Sequence, residues 1–238
     1  MKYFKFIIIF LLIVSITIIG YFYYDKKIHE FDDNYLLKTN DKAEEDIEVY
    51  KEEITSLKEE YNNDEVVGTL EILNTDYKVP IMQAEDNDYY LEHLPDKTKS
   101  FMGSIFLDYR VDIDNSQKLL IYGHNSSKYE MPFAILENYY DEEYLKEHKY
   151  VEIKTKTKIR KYEVFSVYVA TTDYSYMKIN YEKDEYLNHL NNLKKYSFYD
   201  IDLELDSNDN ILILQTCSTH KDYVNYDKKY LIIALKEI

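Results

Sequence analysis

From Val66 to the C-terminus the sequence breaks into short β-forming runs: VVGTLEIL, YKVPIM, SIFLD, KLLIYGH, a long alternating stretch from Tyr150 to Ala170, ILILQTC and YLIIALKE. Together they predict about seven or eight strands. Two helical patterns interrupt them, at Asp141 to His148 and at Asp184 to Lys195, where Tyr186, Leu187, Leu190 and Leu193 supply an apolar face. Strands without regular βαβ alternation predict a mainly β fold, a largely antiparallel sheet closed into a barrel and decorated by peripheral helices. No internal repeat divides the stretch, so residues 66–238 are expected to form one domain.

Upstream, no charged residue interrupts Phe6 to Tyr24, a run of about 19 residues that spans roughly 30 Å as a helix. It ends in Tyr21, Phe22, Tyr23 and Tyr24 with no small-residue cleavage pattern, so residues 1–27 are expected to be an uncleaved, single-pass membrane anchor in contact with lipid. Lysines flank the run on both sides, and the expected orientation leaves the C-terminal domain outside the cell membrane. Residues 28–65 read as an acidic juxtamembrane stalk. Within it, Ile47, Tyr50, Ile54, Leu57 and Tyr61 fall at the three- and four-residue spacing of one helical stripe, predicting a helix from Asp41 to Tyr61 with one face packed on the main domain. The chain carries 45 acidic against 29 basic residues, a formal charge of −16, with no basic run. That balance repels a phosphate backbone and argues against a nucleic-acid partner.

The chain has a single cysteine, so it forms no disulfide within itself. Cys217 ends the apolar run Ile211 to Thr216 and precedes a polar loop. A strand end suits a nucleophile, because the thiolate is the reactive form and a neighbouring cation favours it; an inert cysteine closing the core fits the same position. His124 ends another apolar run, Leu119 to Tyr122, and two strand ends can present side chains to one cleft. Histidine titrates near neutrality and can protonate a leaving amine and deprotonate an incoming one, although a loop histidine before Asn125 also reads as a turn residue. His29, His93, His148 and His189 are weaker candidates. His220 follows Cys217 by three residues, but two such ligands without further partners make a poor zinc site, so no metal is expected.

Five segments, in this order and spacing, resemble a class B sortase: Gly68 to Ile72 followed by Val79-Pro80-Ile81; Tyr89-Tyr90-Leu91; Gly103 to Arg110; Ile121 to Asn125; and Leu214 to Cys217. The helical stretch from Asp184 to Lys195, leading to Ser197-Phe198-Tyr199, is similar to the insertion that distinguishes this class. The resemblance runs from about Val66 to the C-terminus. It implies a sortase-like barrel and a cysteine transpeptidase at the Gram-positive cell surface. Such an enzyme cleaves a C-terminal sorting motif of secreted proteins, holds the acyl fragment as a thioester, and passes it to an amine of the cell-wall precursor without a cofactor. Cys217 would then be the nucleophile and His124 the general acid/base, with Gln215 and Ser218, which flank the nucleophile's strand end, as candidate substrate contacts.

One position departs from the family. Where the family has an arginine at the start of the final strand, this chain reads Asp227-Lys228-Lys229-Tyr230-Leu231; an ungapped match puts Tyr230 there and Lys229 beside it. A tyrosine donates one hydrogen bond without charge, and a lysine supplies charge without the planar fork of donors. Ile213, in place of the usual threonine, is a packing change. Two readings follow from the missing arginine: an active transpeptidase with Tyr230 or Lys229 as substitute, or a catalytically weak sortase-fold protein that binds sorting peptides or wall components.

Overall fold

The β-forming runs pair into a closed eight-stranded barrel in the computed structural model, which describes residues 49–238. The strands are β1 (Val66–Ile72), β2 (Lys78–Met82), β3 (Phe106–Leu107), β4 (Lys118–Tyr122), β5 (Tyr150–Lys154), β6 (Ile159–Ala170), β7 (Ile211–Cys217) and β8 (Tyr230–Glu237). Around the barrel they run β1-β2-β3-β4-β7-β8-β6-β5. Pairings are antiparallel except β2 with β3 and β4 with β7. The parallel β4–β7 pair matters most, because it brings the C-terminal ends of two distant strands to the same rim. The stretch Tyr150 to Ala170, continuous in its alternation, is two strands joined by a tight turn at Thr155 to Lys158.

Among the described residues three α-helices decorate the barrel: α1 over residues 49–61, α2 (Glu142–Glu147) and α3 (Lys183–Tyr196). The anchor expected over residues 1–27 and the first part of the stalk lie outside the described residues. No helix among the described residues is long and apolar enough to cross a membrane. In α3 the buried face is Tyr186, His189, Leu190 and Leu193; His189 takes a buried place, while Leu187 is only half-buried.

Strand alternation sorts the apolar residues into two cores. One draws on all eight strands, including Leu70, Ile121, Ile153, Leu214 and Ile233, and fills the barrel. The other collects Leu120, Tyr122, Ile211, Ile213, Ile232 and Ala234 on the outer face, where Ile54 of α1 and Tyr186, Leu190 and Leu193 of α3 cover them. A bulge at Val164–Ser166 shifts the alternation of β6, so that Phe165, Tyr168 and Ala170 join this outer cluster.

Two basic side chains fasten the segment before α3 to the barrel, and burial pushes the pKa of one of them, Lys118, well below the ordinary lysine value. Lys118, only 2% exposed, donates from Nζ to the carbonyls of Tyr176 (2.6 Å) and Lys178 (2.8 Å), and lies 3.0 Å from His189 Nε2. Arg110 reaches the intervening carbonyl, that of Met177, at 3.1 Å while holding the buried Asp108 carboxylate at 2.7 and 2.8 Å. Three successive carbonyls at the end of the 3-10 turn Ser175–Met177 are thus satisfied, which explains how a buried lysine is tolerated.

Candidate active site

Alternation places the candidate residues. On β4, Leu120 and Tyr122 face the outer cluster, and the same parity carries His124 to that side just past the strand end. On β7 the outward residues are Ile211, Ile213, Gln215 and Cys217; on β8 they are Tyr230, Ile232 and Ala234. Cys217 pairs directly with Tyr230, and Tyr122 pairs with Gln215. Cys217, His124 and Tyr230 therefore stand on one outer face, at the same rim, on three neighbouring strands.

Side-chain and backbone hydrogen bonds tie the β4 and β7 ends together. Asn125 donates from Nδ2 to the Cys217 carbonyl at 2.9 Å, Thr216 donates from Oγ1 to the Gly123 carbonyl at 2.8 Å, and Gly123 N–H reaches the Gln215 carbonyl at 3.2 Å. A Cβ at Gly123 would lie 2.6 Å from the Phe133 ring, so only glycine lets that ring close over the strand end. The ring of His124 is half-buried, with Nε2 2.9 Å from the Leu91 carbonyl. A carbonyl can only accept, so Nε2 carries a proton and Nδ1 is the nitrogen free to gain or lose one.

The Cys217 side chain is exposed. Desolvation nonetheless pushes its thiol pKa up, and the Lys229 ammonium pulls the other way. Lys229 lies one residue before Tyr230 and accepts the Ser218 N–H at its carbonyl, 2.9 Å away. The Tyr230 phenol is also pushed up, first by desolvation and then by Cys217, which keeps it a neutral donor. Its ring stands edge-on to Tyr174 at 5.8 Å. Gln215 shares the nucleophile's face, and its Oε1 is buried with no hydrogen-bond partner. Ser218 is buried, on the opposite parity, with Oγ 2.7 Å from the Tyr140 hydroxyl.

The segment after the nucleophile is held by a residue that periodicity does not mark. Glu137 accepts from both N–H and Oγ1 of Thr219, each at 2.5 Å. It sits in the 3-10 segment Ala134–Tyr140, whose apolar residues follow neither strand nor helix spacing. Leu91 is hidden differently, since it acts through its backbone carbonyl. Lys118 has a visible signal, a charge in phase with Leu120 and Tyr122. Neither arginine is at this rim's ladder: Arg110 pairs with Asp108, and Arg160 with Glu237.

Comparison with known proteins places the barrel in a family. The family model described as the sortase domain matches residues 70–237. Sortase B of Listeria monocytogenes is 37% identical over 163 residues, 68% of this chain and 66% of the relative, just under two thirds of its length. Sortase B of Staphylococcus aureus is 29% identical over 174 residues, covering 72% of this chain and 70% of that protein. Among solved structures, Clostridium perfringens sortase B superposes with a TM-score of 0.69 at 30% identity, covering 77% of this chain and 98% of that one. A Staphylococcus aureus sortase B–substrate complex gives 0.70 at 27% identity, covering 79% of this chain and 86% of that one. By its sequence, its barrel and its eight-strand order, the chain belongs to the sortase family, in class B.

Proposed function

We propose that the chain is a membrane-anchored cysteine transpeptidase acting outside the cell membrane on secreted proteins that carry a sorting motif, with a cell-wall amine as acceptor. The observation that carries this reading is the convergence of Cys217, His124 and Tyr230 on one face at adjacent strand ends. The Cys217 thiol passes its proton to His124 Nδ1 as Sγ attacks the scissile carbonyl, forming a tetrahedral oxyanion. The C–N bond then breaks, and the departing amine takes a proton from His124 Nδ1. The acyl group stays on sulfur as a thioester until an incoming amine attacks it, gives its proton to His124, and expels Cys217 Sγ, which takes that proton back from His124. Tyr230, directly across from the nucleophile, donates a hydrogen bond from its hydroxyl to the oxyanion and keeps its proton, and Lys229 contributes positive charge nearby.

The reading is tested by incubating the full chain in detergent with fluorogenic sorting peptides, with and without an amine acceptor, beside Cys217→Ala. Peptide cleavage that needs Cys217, a thioester adduct by mass spectrometry, and ligation that grows with amine are expected. Two observations favour a second reading: no guanidinium stands opposite Cys217, and burial raises its thiol pKa. A catalytically weak sortase-fold protein that binds sorting peptides or wall components would bind the peptide and form no thioester.

A further inference from the structure

One short segment grips both strand ends of the site. Phe133 N–H donates to the His124 carbonyl at 2.9 Å, and the Phe133 ring closes over Gly123. The chain then turns through the 3-10 segment Ala134–Tyr140, in which residues three apart lie above one another on one face. Glu137 and Tyr140 are such a pair, and both reach the residues that follow Cys217. Glu137 accepts the N–H and Oγ1 of Thr219, each at 2.5 Å, and the Tyr140 hydroxyl lies 2.7 Å from Ser218 Oγ. Ser218 Oγ in turn accepts from His220 N–H at 3.2 Å, and the Tyr140 ring lies 4.6 Å from that of His220. Ser218, Thr219 and His220 are thus held from one side.

The loop that starts there carries Lys229 at its other end. Its base is closed by the Ser218 N–H bond to the Lys229 carbonyl, 2.9 Å long and one step beyond the Cys217–Tyr230 pair. The Lys229 side chain turns back on the loop, and Nζ donates to the carbonyls of Val224 at 3.4 Å and Tyr226 at 3.5 Å. Val224 is 68% exposed and Tyr226 46%, so the part of the loop that receives the ammonium has little packing of its own. Its place follows from how the base is held.

We propose that Glu137 is a positioning residue for the nucleophile's surroundings: by pinning Thr219 it fixes the base of the loop over residues 218–229, and with it where the Lys229 ammonium stands relative to Cys217. The bearing of this on acyl transfer rests on the transpeptidase reading; the placement of Lys229 does not. Glu137 acts through the backbone it holds.

The sign of the effect separates this role from simpler ones. Lys229 and Tyr230 flank the thiol on the β8 side and His124 on the β4 side, while Glu137, Tyr140 and His220 stand behind the Ser218–Thr219 step. Deleting the Glu137 carboxylate removes a negative charge, and a loosened loop admits water; each of these favours the thiolate. Displacing the Lys229 ammonium disfavours it, because that charge is what opposes the thiol's desolvation.

The test uses the full chain in detergent, with iodoacetamide alkylation of Cys217 followed across pH by mass spectrometry. Alkylation needs no turnover, so the result stands apart from whether the chain transfers acyl groups. Glu137→Ala should slow alkylation roughly threefold at about pH 8 and move the profile alkaline, as Lys229→Ala does. Added to Lys229→Ala, it should slow alkylation no further. Glu137→Gln can still accept the Thr219 N–H and donate to Thr219 Oγ1, and should not slow it. Thr219→Val removes the hydroxyl bond alone and should slow alkylation by less; it decides the matter if Glu137→Ala melts without a cooperative transition. Unchanged or faster alkylation in these two folded variants, or the same slowing with and without Lys229, would overturn the proposal.

Discussion

Cys217 and Tyr230 are direct partners across the antiparallel β7–β8 ladder, with their side chains on the same face. The residue opposite the nucleophile is therefore a phenol, and the charge that reaches the thiol comes from Lys229, one position earlier. On the proposed mechanism a neutral donor and a separate cation would divide the work that one guanidinium does in the family, and the two contributions can be removed independently.

Tyr230→Phe deletes the donor and keeps the ring that packs on Tyr174. Loss of one oxyanion contact is worth about 100-fold in rate, so thioester formation should slow by that order with little change in peptide KM. Rapid-quench mass spectrometry of the Cys217 adduct reads this directly. An unchanged acylation rate would remove Tyr230 from the mechanism.

The thiol's own titration is a second handle. Burial disfavours the thiolate and raises the pKa, so alkylation by iodoacetamide should still be accelerating with pH above about 9.5, one unit past the ordinary thiol pKa, where an ordinary cysteine has levelled off. Lys229 opposes that shift, and Lys229→Ala should move the profile further alkaline. A plateau below that pH in the wild-type chain would contradict the desolvated thiol.

Much of this arrangement is legible in the amino-acid sequence alone. The run YLIIALKE is β8 from Tyr230 to Glu237, because Leu231 to Leu235 are apolar and polar residues flank them, Lys228 and Lys229 before the strand and Lys236 and Glu237 in its last two positions. The helix at Asp184 to Lys195 is visible from its stripe, and β7 from an apolar run that stops at Cys217. What stays hidden has physical reasons. Thr155 to Lys158 contains no glycine or proline, so the turn between β5 and β6 leaves no break in the β pattern. The Leu91 carbonyl that fixes His124 belongs to the backbone, where side-chain identity carries no information. Glu137 reaches Thr219 across 82 positions of sequence, and only the fold sets that contact. Tyr230 emerges from matching the final strand, and its role depends on a register that only pairing reveals.

His189 and Lys118 make stability depend on mild acid. Burial, and then the Lys118 charge, lower the His189 pKa from 6.5 to about 3. On acidification the unfolded chain's imidazole takes up its proton first, near its ordinary pKa, while the folded one stays neutral. Proton uptake then favours the unfolded state, so this contribution is complete above about pH 6.5 and is lost progressively as pH falls toward 3. Urea midpoints should decline across pH 6.5 to 4, and His189→Leu should flatten that decline. Lys118→Met, which orphans the buried carbonyls of Tyr176 and Lys178, should cost about 3 kcal/mol at neutral pH. Midpoints that do not respond to either substitution would mean the segment before α3 is held by its apolar contacts alone.

Gly103 tests whether His124 depends on the Leu91 carbonyl. Its φ of +62° lies in the left-handed region, and a Cβ there would sit 2.7 Å from the Tyr90 carbonyl, 2.8 Å from that of Leu91 and 3.1 Å from His124 Cδ2. Two of these atoms are backbone and cannot swing aside as a side-chain tip can, so alanine must displace the Leu91 carbonyl or the ring. Backbone strain alone predicts a stability loss of about 1–2 kcal/mol. The consequence for chemistry is separate: without a fixed acceptor, Nε2 no longer has to carry the proton, and the neutral ring divides between its two tautomers. Nitrogen-15 NMR of His124 should show a single Nε2–H form in the wild-type chain and averaged shifts in Gly103→Ala, alongside slower acyl transfer with the Cys217 alkylation profile unmoved. If the substituted protein keeps the Nε2–H form while transfer still slows, the carbonyl does not set the tautomer, and His124 is positioned by the packing of its ring.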